Sequence, residues 1–504
     1  MKKNSILNWT LMAATVAITG TGCKKALDIN HDPNNVVESN ITAPLILPQA
    51  LHTASNISSV PYFWLNHWMG YWAPAGDFAP NAQEQSYNID VNFQNGHWIN
   101  YYNTLYDLTA AERKAGEKGE NYYKAVAMIM KAFLFQGLVD IYGNVPYSQA
   151  FNSTISTPAY DNGQAIYNDL QLKLDEATNL IKGITVVHGS PIESIDIMFK
   201  GDAGKWVKLA NTIKLRLLIR QSQIPGFNPA PEITKIQANG FGFLGSGESA
   251  AVNPGYLNDV GKQNPFYGAY GFLPNGNAAS SIERGNTSII GVLKTNNDPR
   301  LGYFFRPATS PINAANPYVG NTYGSPPTSS SGPTGGSRLS TVGEGLTRSA
   351  SQNQWVLTSV ESMFLQAEAI QRGWLPGNAQ TAYENAVRES FIWLGVPSAV
   401  SAANAYMANA VSIADWASAS NKIQLIVYQK YIALCGVDPL EAWADYRRLG
   451  IPASATIISA DPLKVSNVLP ARLLYPASEY AVNAANVLGQ GTINQFSSTI
   501  FWDK

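Results

Sequence analysis

The residue types able to do chemistry are scattered along this 504-residue sequence, and their spacing argues against most reactions. The five histidines (His31, His52, His67, His97 and His188) form neither an HExxH pair nor any other ligand spacing, so no zinc site is expected. No GxSxG nucleophile elbow occurs. GFGFLG, from Gly240 to Gly245, has the letters of a dinucleotide fingerprint, but the segment before it reads as a helix rather than a strand. Asp28, Asn30 and Asp32 occupy the first, third and fifth positions of a calcium loop, yet Pro33 replaces the turn glycine and Ser39 the bidentate glutamate. That stretch reads instead as turn chemistry in an extended tether. A carboxylate pair for glycoside hydrolysis would meet only in three dimensions, and no motif points to one. Neither a metal nor a cofactor is expected.

Aromatic residues remain as the candidate chemistry. Twelve tryptophans and 25 tyrosines accompany a charged fraction of only 14%, with abundant Asn, Gly and Ser. A sugar ring offers a face of C–H groups to an aromatic plane, while its hydroxyls seek amide and hydroxyl partners, so this mixture suits neutral polar ligands. PYFWLNHWMGYWAPAGDF predicts one helical sector carrying Trp64, Trp68, Tyr71 and Trp72, ahead of Pro74. Trp64 and Trp68 read as core. Trp72 and Phe78 flank a Pro/Gly turn and are ligand-binding candidates. Phe266, Tyr267, Tyr270 and Phe272 lie on a Gly-rich loop, where they serve either as a ligand platform or as loop anchors. Trp98 and Tyr101 read as scaffold packing.

The charge balance, 34 basic against 35 acidic side chains, gives no reason to expect nucleic acid. The basic run Lys200, Lys205, Lys208, Lys214, Arg216 and Arg220 reads as a solvated helix face. Arg447 and Arg448, near a helix end, read as structural. Cys435 reads as a buried small apolar residue.

The elements that position these residues are helical. AVAMIMKAFLFQGLVDIYG sets Ala125, Met128, Ala132, Phe135 and Val139 on one stripe before Gly143 and Pro146 stop it. Ile166, Leu170, Leu174, Ala177 and Ile181 repeat the pattern, as do Trp206, Ala210, Ile213 and Leu217. Further helices are expected in VESMFLQAEAIQRG, NAQTAYENAVRESFIWLG and NKIQLIVYQKYIALCG. Paired helices with small residues at their contacts predict an all-α fold of degenerate tetratricopeptide-like hairpin repeats with long irregular loop insertions. The helices are expected at about 100–222 and 355–448, and a loop-rich ligand region at about 223–350. No stretch after residue 22 reads as a transmembrane helix.

At the N-terminus, Lys2 and Lys3 precede an apolar run from Ile6 to Ile18, and Gly20, Thr21 and Gly22 lead to Cys23. This resembles a lipoprotein signal of residues 1–22, with Cys23 as the lipidation site and residues 23–504 as a single domain. An ordinary secretory signal is the alternative. LDINHDPNN, GLVDIYGNVPYSQAF, DIMFKGDAGKWVKLANTIKLRLLIR, ESMFLQAEA and PLEAWADYRRLGIP follow in order along the mature chain. On these segments the sequence resembles the SusD/RagB family of outer-membrane lipoproteins, nearest its SusD-like branch. The resemblance implies a tetratricopeptide-repeat scaffold that holds a SusC-like TonB-dependent transporter while the inserted loops bind nutrient. The expected function is non-catalytic capture of oligosaccharide at the cell surface, tethered to the membrane by lipid. Peptide cargo, a surface hydrolase and a purely structural subunit are the rival readings.

Overall fold

Asparagine, aspartate and threonine side chains start the helices of this chain by accepting the otherwise orphaned first-turn N–H groups. The computed structural model describes residues 40–409 and 413–504, so the expected signal and lipidation site at Cys23 lie outside the described residues. The scaffold helices are α1 (Ala43–Ile57), α2 (Asn95–Lys118), α3 (Asn121–Tyr142), α4 (Gly163–Ile181) and α5 (Ala203–Arg220). In the second half follow α6 (Ser359–Gln371), α7 (Ala379–Leu394), α8 (Ala399–Ala408), α9 (Lys422–Ala433) and α10 (Pro439–Leu449). Asn162 caps α4, Asp202 caps α5, Thr358 caps α6, Asn378 caps α7 and Asn421 caps α9. Asp438 caps α10, with Pro439 in the first turn where no N–H is needed.

Successive helices pack as hairpins: α2 on α3, α3 on α4, α6 on α7, and α7 on α8. Gly119, at φ +67°, closes α2 and lets the chain reverse into α3 within two residues. α1 lies against α2 and α3, and α5 joins the two halves by touching both α3 and α6. The chain is therefore an all-α fold of tetratricopeptide-like character, with only two-stranded ladders elsewhere among the described residues.

α3 is the centre of the core. All its residues except Asn121, Lys124 and Lys131 are buried, so the helix is apolar on every side rather than along one stripe. By length and composition it could cross a bilayer, contrary to the sequence expectation, but it is enclosed by its neighbours. Trp64, Trp68, Trp98, Tyr101 and Cys435 are buried as expected. GFGFLG follows the helix Ala230–Asn239, which Gly240 ends, and has no strand in front of it.

The basic run on α5 departs from its sequence reading. Lys214, Arg216 and Arg220 are buried rather than solvated, because each meets carboxylates from neighbouring helices. Arg220 binds Asp140 of α3 at 3.2 Å and Glu441 of α10 at 2.6 Å. Glu441 also holds Lys430 of α9 at 2.8 Å, and Lys430 holds Asp445 at 2.7 Å. Asp445 then meets Arg448, which grips Glu368 of α6 through two parallel bonds of 2.5 and 2.8 Å. Beside this chain, Arg216 joins Gln136 of α3 to Glu361 of α6, both at 3.0 Å. Burial alone would raise the Glu368 carboxyl, but Arg448 and Arg372 outweigh it and hold the group at about 2.

A second buried charge group fastens the inserted segments to this scaffold. His67, in the short helix Phe63–Trp68, places Nδ1 2.6 Å from Glu84 and Nε2 2.7 Å from Glu283. The hydroxyl of Tyr323 donates to the same Glu84 at 3.1 Å. Burial would lower the imidazolium pKa, but Glu283 and Glu84 overcome it and raise the group to about 10.

Two outcomes follow. Arg448→Ala leaves buried Glu368 with Arg372 alone and buried Asp445 with Lys430 alone, and should reduce unfolding free energy in urea by ~2–4 kcal/mol; a loss below ~1 kcal/mol would contradict the role given to this chain of charges. His67 binds its proton more tightly folded than unfolded, so its contribution is fully present below pH ~6.5 and is lost as pH rises toward about 10. The stability gap between the parent protein and His67→Phe should therefore shrink by ~2 kcal/mol or more between pH 6 and pH 10.

Candidate functional site

Short strand pairs hold the inserted segments in place. β1 (Trp72–Pro74), β2 (Ala250–Val252), β3 (Glu283–Gly285), β4 (Phe305–Arg306), β5 (Thr341–Val342) and β6 (Gln354–Leu357) form these ladders. β1 pairs antiparallel with β3, β2 with β6, and β4 with β5. The N–H of Gly285 also donates to Ser340 at 2.9 Å, which brings β5 alongside β3.

Trp72 does not continue the helix of Trp64 and Trp68. That helix ends at Trp68, Gly70 turns the chain at φ +69°, and Trp72 begins β1. Its side chain is 0% exposed, which corrects the expectation of a ligand contact. Phe266 is likewise 0% exposed, on a short helix Pro265–Tyr270 that Asn264 caps. Its ring lies 4.6 Å from Trp355 and 4.9 Å from Tyr270, and Tyr270 lies 4.9 Å from Trp72. The half-buried Tyr270 donates its hydroxyl to the Val60 carbonyl at 2.6 Å, and burial pushes the phenol pKa upward. Trp72, Phe266 and Tyr270 thus form an aromatic wedge that pins the 264–271 segment to the core. For Phe266 and Tyr270 the packing is that of loop anchors.

Phe78, Tyr267 and Phe272 stay partly open to solvent. The ring of Tyr267 lies against the backbone of Gly271, where an added Cβ would stand 2.9 Å from Cδ2. Phe272 sits under the Arg306 guanidinium, 5.0 Å from its carbon, a cation–π contact that fixes the ring. Arg306 is itself held by the carbonyls of Val342 and Thr347. The turn carrying Phe78 is latched to the 328–336 segment. Gly76 exchanges bonds with Thr328 and Thr334, and Asp77 accepts from the N–H of Gly336 at 3.1 Å.

Around the short helix Pro265–Tyr270 opens a groove of about 720 Å³, between Val260–Pro265 and Gly268–Asn275. Val260, 81% exposed, with Leu273, Pro265 and Pro274, gives it apolar surface; Gln263 and Asn275 supply amides. Gln263 is oriented by donating to Asn258 at 2.9 Å and to the Phe272 carbonyl at 3.0 Å. Among the described residues, no carboxylate, lysine or histidine lines the groove. Among the described residues, no group of three His, Cys, Asp or Glu is arranged to hold a metal ion. The groove suits a neutral ligand with apolar faces and hydrogen-bonding edges, and its volume falls within the range of small-ligand sites.

Sequence reasoning singled out the aromatic residues of this segment but not Gln263, Leu273 or Arg306. The turn-rich NPFYGAYGFLPNGN pattern signals the groove's location. Arg306 becomes visible only once the β4–β5 pairing carries it across to Phe272.

None of the curated proteins compared with the sequence matches it. Among solved structures, a SusD-like protein from Bacteroides thetaiotaomicron is similar at 25% identity and TM-score 0.72, over 90% of this chain and 98% of its own. A chitin-binding SusD homologue from Flavobacterium johnsoniae is similar at 24% identity and TM-score 0.74, over 91% of this chain and 98% of its own. A SusD homologue from Bacteroides uniformis is similar at 23% identity and TM-score 0.71, over 91% and 99%. The SusD-like_2 family model, described as "Starch-binding associating with outer membrane", matches residues 33–476. With that match spanning most of the sequence, the chain belongs to the SusD-like family of proteins associated with the outer membrane.

Proposed function

We propose that this protein is a non-catalytic binding protein of the outer membrane that captures oligosaccharide and delivers it to a SusC-like TonB-dependent transporter. The observation that carries the reading is the open groove of the 260–275 segment, lined without a carboxylate among the described residues, in the stretch of chain that also carries the partly open rings of Tyr267 and Phe272. Aromatic planes supply contact to C–H faces at little entropic cost because packing already holds them. The amides of Gln263 and Asn275 supply hydrogen bonds that discriminate among hydroxyl arrangements. The family description supports starch-like glycans, and the Flavobacterium johnsoniae relative supports chitin-like ones. Cys23, acylated after removal of residues 1–22, provides the membrane anchor, since several buried acyl chains at ~0.8 kcal/mol per CH₂ make attachment stable.

Calorimetric titration with maltotriose and with triacetylchitotriose tests the cargo. One of the two should bind, and Tyr267→Ala and Phe272→Ala should each weaken it by ~5- to 20-fold, a loss of ~1–2 kcal/mol. Binding unchanged by both substitutions would refute the site, and binding of peptides in place of both sugars would favour the peptide-cargo reading. Cys23→Ala should move the protein from the membrane to the soluble fraction and abolish palmitate labelling.

A further inference from the structure

A separate cavity of about 530 Å³ lies in the helical scaffold, bounded by α2, α3, α4 and the 147–161 connection. It shares no lining residue with the loop groove. Met128 and Phe135 from α3, with Ile166 and Leu170 from α4, give it an apolar lining. Two polar pairs face it. Glu112 of α2 holds Lys131 of α3 at 2.7 Å, each only partly covered. Asp169 of α4 accepts from the Tyr147 hydroxyl at 2.5 Å through one oxygen, and its other oxygen has no donor among the described residues.

The connection that walls the cavity is pinned by hydrogen bonds and carries one residue with a strained backbone. Asp161 accepts from the N–H groups of Tyr147 and Ser148 at 3.0 and 2.8 Å and from the Ser148 hydroxyl at 2.7 Å. Tyr102 fixes the Pro146 carbonyl at 2.7 Å. Between these pins and β-paired Tyr160, Phe151 adopts φ +65°, a conformation that glycine takes freely and a bulky side chain does not. Its half-buried ring stands 6.5 Å from Phe135, 6.0 Å from Tyr102 and 6.1 Å from Tyr106, which is itself 61% exposed. The backbone strain is held in place to keep an aromatic plane at this cavity.

We propose that this cavity is a second carbohydrate subsite, taking one or two rings of a neutral sugar, with Phe151 and Phe135 against the C–H face and Asp169 and Glu112 accepting hydroxyls. The inference rests on the carbohydrate reading of the protein. A ligand without anionic groups follows from the lining: Glu112, Asp161 and Asp169 outnumber Lys131 and Lys173, Lys131 is held by Glu112, and Lys173 also meets Glu176. The free acceptor oxygens call for a ligand rich in hydroxyl donors. An apolar floor beside them calls for one with a C–H face.

Titration of the parent protein, Phe151→Gly, Asp169→Asn and Tyr267→Ala with maltotriose and triacetylchitotriose separates the two sites. Two binding events per chain are expected. Phe151→Gly and Asp169→Asn should weaken one event about tenfold and leave the other intact, and Tyr267→Ala should do the reverse. Hydrogen exchange over residues 147–161 should slow on adding the sugar and fail to slow in Phe151→Gly. Asp169→Asn is isosteric and should melt close to the parent, whereas Phe151→Gly relieves the φ strain but gives up the ring contacts with Phe135, Tyr102 and Tyr106; if its melting temperature falls, Asp169→Asn alone decides the second site. A single binding event, abolished by Tyr267→Ala and indifferent to Phe151→Gly and Asp169→Asn, would overturn the second subsite alone. Absence of binding by either sugar would overturn the carbohydrate reading as well.

Discussion

The structure depends on charges that have been taken out of water and can be stabilised only by one another. Asp140, Arg220, Glu441, Lys430, Asp445, Arg448 and Glu368 form a continuous run through α3, α5, α10, α9 and α6. Each member has lost its hydration, so each requires its neighbour at hydrogen-bond distance. This imposes a geometric condition that apolar packing does not. Leucine tolerates a small slide along a helix face, whereas a two-bond arginine–carboxylate grip does not. The run also joins helices from both ends of the sequence, which fixes the register of the early hairpins against the late ones.

The inserted segments borrow their order from that scaffold. Few of their strands exceed three residues, and two-stranded ladders of this size are weak in isolation. They are held instead by point fasteners: the His67 clasp between Glu84 and Glu283, and the wedge of Trp72, Phe266 and Tyr270. Fixing the base in this way leaves Tyr267, Phe272 and Phe78 partly open at the surface, with Phe272 held under Arg306, which suits the site proposed above. Pre-organisation of this kind converts modest contacts into affinity.

The helical scaffold was legible because its signals are local. Apolar periodicity, capping residues such as Asn162 and Asp202, and terminal glycines all lie within a turn or two of the elements they define. The basic run on α5 was misread for the complementary reason: whether Arg216 and Arg220 meet water or carboxylates depends on α3, α6 and α10, which are remote in sequence. The aromatic candidates divide along the same line. Composition marks Trp72, Phe266, Tyr267 and Phe272 alike. Only the turn at Gly70 and the one-residue step from Phe266 to Tyr267 on a short helix decide which rings are sealed and which remain open. His67 gave no signal at all, because its partners stand 17 and 216 residues away.

The uniformly apolar circumference of α3 bears on how the chain reaches its native state. A helix with one greasy stripe is satisfied by a single partner, but α3 needs α1, α2, α4 and α5 closed around it together. Until that enclosure is complete, some part of its surface remains adhesive toward other chains. Trimming the N-terminal side of the protein beyond Ala43 strips one wall from this enclosure, so the earliest described helix acts as a guard against self-association as much as a structural layer.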